Sequence, residues 1–123
     1  MLLDQECAKY GYEIADQIEI KDDTLINKAL GVLQEQGVYA YFLFLKASSD
    51  EAKSKKIIIN TSWKLLSSGI IESMKGENWG DHNWHEIIRE KLLGNLDDLF
   101  LSYRLLEQTL IYARYHAKVL KEG

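Results

Sequence analysis

LDDLFLSYRLLEQTLIYARYHAKVLKE, residues 96–122, runs without a glycine or a proline. Apolar residues recur at Leu96, Leu99, Phe100, Tyr103, Leu106, Leu110, Ala113, Ala117 and Leu120. Intervals of three and four return to one side of a 3.6-residue helix, so the spacing predicts one long helix with that side in the core. At 1.5 Å per residue such a helix spans roughly 40 Å, the diameter of a small domain. Beyond residue 100 the stretch carries Arg104, Arg114, Lys118 and Lys121 against Glu107 and Glu122, in a chain whose net charge is −4. A core-forming helix with a basic, tyrosine-rich outer side (Tyr112, Tyr115) sets the question of a partner.

Working back from it, Trp84, Ile87, Ile88, Lys91 and Leu92 predict a preceding helix that stops at Gly94, with Asn95 or Asp97 starting the long one. Residues 76–83, GENWGDHN, read as a glycine-rich loop. Ser48-Ser49-Asp50 can cap a helix in which Ile57-Ile58-Ile59 looks strand-like locally, but Trp63, Leu66 and Ile70 continue the helical spacing. Val38 to Lys46, VYAYFLFLK, has the aromatic content of a strand and no second strand to pair with, so it predicts a short buried helix. Asp22-Asp23-Thr24 caps another helix that carries Leu25, Ala29 and Leu33 and ends at Gly37, a left-handed turn glycine. Leu3, Cys7, Tyr10, Ile14 and Ile18 predict the first helix. The expectation is an all-α, compact single-domain bundle of about six helices over 1–123, with a long C-terminal helix.

Composition agrees with that class. The 123 residues suffice for one domain, and there is no proline, which favours helices joined by glycine or polar turns. A single cysteine excludes an internal disulfide and suits a reducing compartment. The N-terminus is acidic by its fourth residue, unlike a secretory signal, and the longest apolar run, Val38 to Leu45, is too short for a membrane span. A cytoplasmic protein is expected.

Charge is segregated. Residues 1–36 hold eight acids and three bases, residues 46–75 six bases and three acids, and residues 76–100 six acids and two bases. Lys53, Lys55, Lys56 and Lys64 would extend a basic surface of Arg104, Arg114, Lys118 and Lys121 if the two segments lie together. Lysine and arginine neutralise phosphates, and tyrosine stacks on unpaired bases. The bland alternative is a cationic helix end stabilised by the helix dipole.

No catalytic constellation emerges. Asp81-His82-Asn83-Trp84-His85-Glu86 places two histidines near each other, but zinc usually takes three or four protein ligands and nothing supplies the third, so no metal is expected. Cys7 sits on the apolar side of its helix, where cysteine is an inert hydrophobe. Arg114 and His116 are only two apart, which misses the arginine-to-histidine spacing of helical HEPN ribonucleases. Phosphate loops, dinucleotide fingerprints and HExxH are absent, and no cofactor is expected.

Two segments, LINKALGVLQEQGVYAYFLFLKAS (25–48) and LDDLFLSYRLLEQTLIYARYHAKVLKEG (96–123), resemble in order and pattern the small helical subunit of type III-B CRISPR effector complexes, the Cmr small-subunit family. The resemblance covers roughly the first 48 and the last 28 residues. It implies a compact helical protein with no enzymatic activity of its own, stacked in several copies along the guide and target RNA beside larger subunits that cleave. It also implies that Gly37 is the family's turn glycine and that the Arg114–Lys118–Lys121 side faces RNA. The equivalent subunit of a type III-A complex is the nearest alternative. A helical adaptor that binds only protein, through the Val38–Leu45 surface or exposed Trp79 and Trp84, is another.

Overall fold

In a computed structural model of the chain, residues 3–18, 24–47 and 51–122 are described. Among them the elements are α1 (Leu3–Gln17), α2 (Thr24–Gln36), α3 (Val38–Ala47), α4 (Ala52–Leu66), α5 (Trp84–Ile87) and α6 (Leu96–Glu122). A single 3₁₀ turn, Glu72–Met74, lies in the α4–α5 connection, and no strand occurs among the described residues. All six helices contribute to one buried core, so the all-α bundle expected from periodicity is what forms.

The centre of that bundle is the pairing of α1 with α6, the most extensive helix contact in the molecule. The two run in the same direction: Cys7 Sγ meets the Leu105 carbonyl at 3.6 Å, and Tyr12 meets His116 edge-on at 5.4 Å between ring centroids. Gly11 lets the backbones close. A β-carbon there would stand 2.8 Å from both the Thr109 carbonyl oxygen and Tyr112 Cβ. Ser102, Thr109 and Ala113 are the buried small residues of α6, with Leu105, Leu106 and Leu110 completing its inner side.

This shifts the expected core side of α6. Leu106, Leu110 and Ala113 are buried, but Leu96 is 64% exposed, Phe100 60% and Leu120 45%. Apolar spacing alone favoured large side chains. The close approach at Gly11 instead brings Thr109 and Ala113 into the seam, and Ser102 is buried as well. Thr109 and Ser102 are hydroxylic residues that no hydrophobicity count would include.

The turns follow the residue types. Gly37 has φ +96°, its N–H donates to the Leu33 carbonyl at 2.9 Å, and α3 begins at once. Val38, Tyr41, Phe42 and Leu45 are buried, as a short core helix requires. The Asn95 side-chain oxygen accepts the Asp98 N–H at 3.1 Å and so caps α6, while Asp98 Oδ2 accepts the Ser73 N–H at 3.0 Å and ties the 3₁₀ turn to it. The Asp22-Asp23 part of the expected α2 cap and the Ser48-Ser49-Asp50 cap lie outside the described residues. Glu51, just before α4, takes a left-handed conformation at φ 58° and pairs with Lys28 at 3.7 Å.

Two helices are shorter than their periodicity predicts. α4 stops at Leu66, so Ile70 belongs to the following turn. α5 keeps α-helical pitch only to Ile87 and widens into a π-helical turn over Ile88–Leu92, where the Leu93 N–H reaches back five residues to the Ile88 carbonyl at 3.1 Å. Ile88 and Leu92 are both buried.

Candidate nucleic-acid interface

The last turns of α6 meet the first turn of α2 around an open groove of about 660 Å³. Arg114, Lys118 and Lys121 line it from one helix, and Thr24 and Asn27 from the other. The three cations follow at i, i+4 and i+7, so one side of a straight helix presents them all. Tyr115 stands beside them, 59% exposed, with the Arg114 guanidinium 5.5 Å from its ring centroid. Thr24 opens α2, whose first backbone N–H groups have no partner within the helix and carry the positive end of its dipole. Cations, hydroxyl, amide and an exposed phenol in one groove are what a phosphate-bearing chain calls for.

The other bases expected at this surface go elsewhere. Arg104 is exposed at a separate groove of about 440 Å³ beside Leu3, Asp4 and Glu107, toward the opposite end of α6. Lys53 is exposed on α4. Lys56 lines a third groove, with Trp79 and Asp81. Lys64 reaches Glu13 on α1 at 3.7 Å and lies 5.8 Å from the Tyr10 ring centroid. Lys55 is a correction: only 4% exposed, its ammonium sits 4.9 Å from the centre of the Phe44 ring, so it serves the core rather than a ligand surface. Because α4 docks on α1 and α3, the two basic segments do not share a groove. Thr24 and Asn27 were missed in the sequence, although their i, i+3 placement in the first turn of a capped helix was the available signal.

Tyr112, expected to flank the cations, is turned away. Its hydroxyl donates to Asp4 Oδ1 at 2.6 Å, and that hydrogen bond, ahead of burial and of the carboxylate's charge, raises its pKa above the ordinary tyrosine value. Burial likewise pushes the Cys7 thiol up, which keeps it a neutral core group.

The histidine cluster has a clear local arrangement. Arg89 can only donate, so its 3.3 Å contact makes His85 Nδ1 the acceptor and leaves His85 Nε2 to donate to the His82 carbonyl at 3.1 Å. Both ring nitrogens are thereby used. Asp81 accepts from Trp79 Nε1 at 2.9 Å and from Lys46 at 3.4 Å. No three histidine, cysteine or acidic side chains converge as metal ligands among the described residues.

Of the hydrophobic anchors expected of a protein adaptor, Trp84 is not exposed and Trp79 is only half so. Trp84 is buried, and Trp79 packs on it nearly parallel, 12° between planes and 5.8 Å between centroids. Trp63 meets Trp79 edge-on at 5.1 Å, and Phe42 completes the cluster. The large residues of Val38–Leu45 face this core, leaving Leu43 as its exposed apolar side chain. Exposed apolar residues gather instead at both ends of α6, at Leu93, Leu96 and Phe100 and at Val119 and Leu120.

No protein family, curated protein or solved structure matches the chain. Among the described residues no helix is long and apolar enough to cross a membrane.

Proposed function

We propose that this chain is a non-catalytic, RNA-contacting subunit of a type III-B CRISPR effector complex, stacked along guide and target RNA as part of antiviral defence. The family resemblance of residues 25–48 and 96–123 supplies the reading. The observation that carries it is the groove in which Arg114, Lys118, Lys121 and exposed Tyr115 meet the start of α2. Three cations on an acidic chain are too few for tight autonomous binding. They suit weak phosphate contacts that add up across adjacent copies through effective concentration.

The start of α6 also suits stacking: exposed Leu96, Asp97 and Phe100 make an apolar and acidic surface there, away from the cations, that a neighbouring copy can cover.

The test uses the assembled complex. Arg114→Glu, Lys118→Glu and Lys121→Glu together should weaken target-RNA binding, and the slope of log affinity against log salt should flatten by roughly one for each phosphate that is no longer neutralised. Circular dichroism should show the fold retained. Unchanged affinity at low salt would overturn the assignment of this groove to RNA. Genes encoding the larger subunits beside this one would separate the type III-B from the type III-A form.

A further inference from the structure

A smaller groove, of about 320 Å³, opens between α3, α4 and the loop after α4. Lys56, Ile59 and Asn60 line it from α4, Lys46 from the end of α3, and Trp79 and Asp81 from the loop. None of these residues belongs to the α6 groove.

Trp79 is held in place before any ligand arrives. Trp84 stacks at 12°, Trp63 stands at 78° to it, and its indole N–H is taken up by Asp81 at 2.9 Å. With the polar edge satisfied within the protein and Trp84 stacked on the ring, what the indole can give the groove is its remaining π surface. The flexible Lys46 side chain now lies over that surface. A rigid ring costs little entropy when it binds, so it suits a flat aromatic partner. Opposite, Asn60 offers a carboxamide, which donates and accepts side by side as the edge of a nucleobase does.

Charge narrows the choice further. Lys46 and Lys56 face one carboxylate, Asp81, among the described residues of the groove. Lys46 is poised at its rim, 3.4 Å from Asp81 and 5.9 Å from the Trp79 ring centroid. Lys46 already pairs with Asp81, so a phosphate would engage Lys56 and share Lys46 with that carboxylate, which a neutral aromatic ligand would not do. The volume lies at the low end of the range of about 300–1,000 Å³ for small-ligand sites, enough for one nucleotide and too small for a duplex.

We propose that this groove binds a single unpaired nucleotide, with the base against Trp79, its edge at Asn60 and its phosphate between Lys56 and Lys46. The site stands independently of the α6 reading. Its chemistry is the same for a free nucleotide and for one base of a single strand.

The full chain is titrated with AMP, with the single-stranded RNA pentamer A5 and with a blunt RNA duplex, following tryptophan fluorescence and heat of binding. Saturable quenching by AMP or A5, with much weaker binding of the duplex, is expected. AMP binding as tightly as A5 identifies a mononucleotide pocket, and A5 alone binding identifies a base within a strand. Trp79→Ala should weaken binding at least about tenfold, and Trp79→Phe should keep most of it. Since Trp79→Ala can loosen the aromatic cluster, Lys56→Glu and Asn60→Ala, both at exposed helix positions, carry the decision and should each weaken binding with an unchanged melting temperature. Absence of saturable signal at millimolar AMP and A5, equal binding of the duplex, or indifference to both exposed substitutions would overturn the proposal. Loss of binding in the Arg114, Lys118 and Lys121 variant alone would also overturn it, by moving the bound strand to the α6 groove. Only that last result bears on the α6 reading, which it would favour; the others leave the reading measured in the assembled complex untouched.

Discussion

α4 and α6 each carry four basic residues and do opposite things with the charge. On α4, Lys55 is buried against Phe44, Lys64 leans toward Glu13 and Tyr10, and Lys56 enters the tryptophan-lined groove. On α6, Arg114, Lys118 and Lys121 gather at one open groove beside α2. The difference comes from position in the bundle. α4 lies across α1 and α3, whose acids and rings draw its lysines inward, whereas the end of α6 runs out beside the start of α2. A lysine count therefore measures the charge a segment carries and says nothing of how much is offered to a partner.

The contrast breaks most sharply at Lys55. Lys55→Glu puts the wrong charge beside an aromatic ring in a buried position, and chemical denaturation should show a loss of roughly 3 kcal/mol. A loss below about 1 kcal/mol would mean the side chain reaches water and belongs with the exposed bases. Lys64→Ala removes an ion pair that is partly solvated, and the cost should stay under about 1 kcal/mol and shrink in high salt. Smaller still, Arg114→Gln, Lys118→Gln and Lys121→Gln together should move the melting midpoint by only about a degree or two, because these side chains face a groove rather than the core. A large drop would make them structural.

The mildest effect concerns pH. The hydrogen bond from Trp79, followed by that from Lys46 and its charge, holds the Asp81 carboxyl below its ordinary value of 3.8. A depressed folded-state pKa gives stability that is complete above the ordinary value and lost as pH falls through the folded one. Tryptophan fluorescence should therefore change in a step below pH 3.8 that Asp81→Asn abolishes. A step that survives the substitution would assign it to another carboxylate.

Much of this architecture could be read in advance because it rests on local rules. A left-handed glycine at Gly37, the amide cap at Asn95 and the apolar spacing of α2 each act within a turn or two, while α3 followed from the lack of a strand to pair with. What escaped depends on residues far apart in the chain. Thr109 and Ala113 join the core because Gly11 lies opposite them, and Lys55 is buried because Phe44 lies under it. Trp79 has the look of a wholly exposed loop anchor until Trp63 and Trp84 are placed around it, which leaves it half-buried with only its groove side open. Of the candidate interface, the Arg114–Lys118–Lys121 spacing was legible on α6 alone. The arrival of Thr24 and Asn27 opposite was not, since it depends on how α2 crosses α6.

The pairing of α1 with α6 has a consequence for how the protein is made. Cys7 and Leu105 are 98 positions apart, so the most extensive helix contact joins segments that leave the ribosome at very different times. Until α6 emerges, the Cys7–Tyr10–Ile14 side of α1 has no such partner, and the middle helices must assemble without it. Helical proteins usually fold fast because their contacts are local; this one must close a long loop before its main seam can form. Synthesis, rather than helix formation, then sets when the native state first becomes reachable, and the growing chain spends that interval with an apolar stripe that a chaperone can hold.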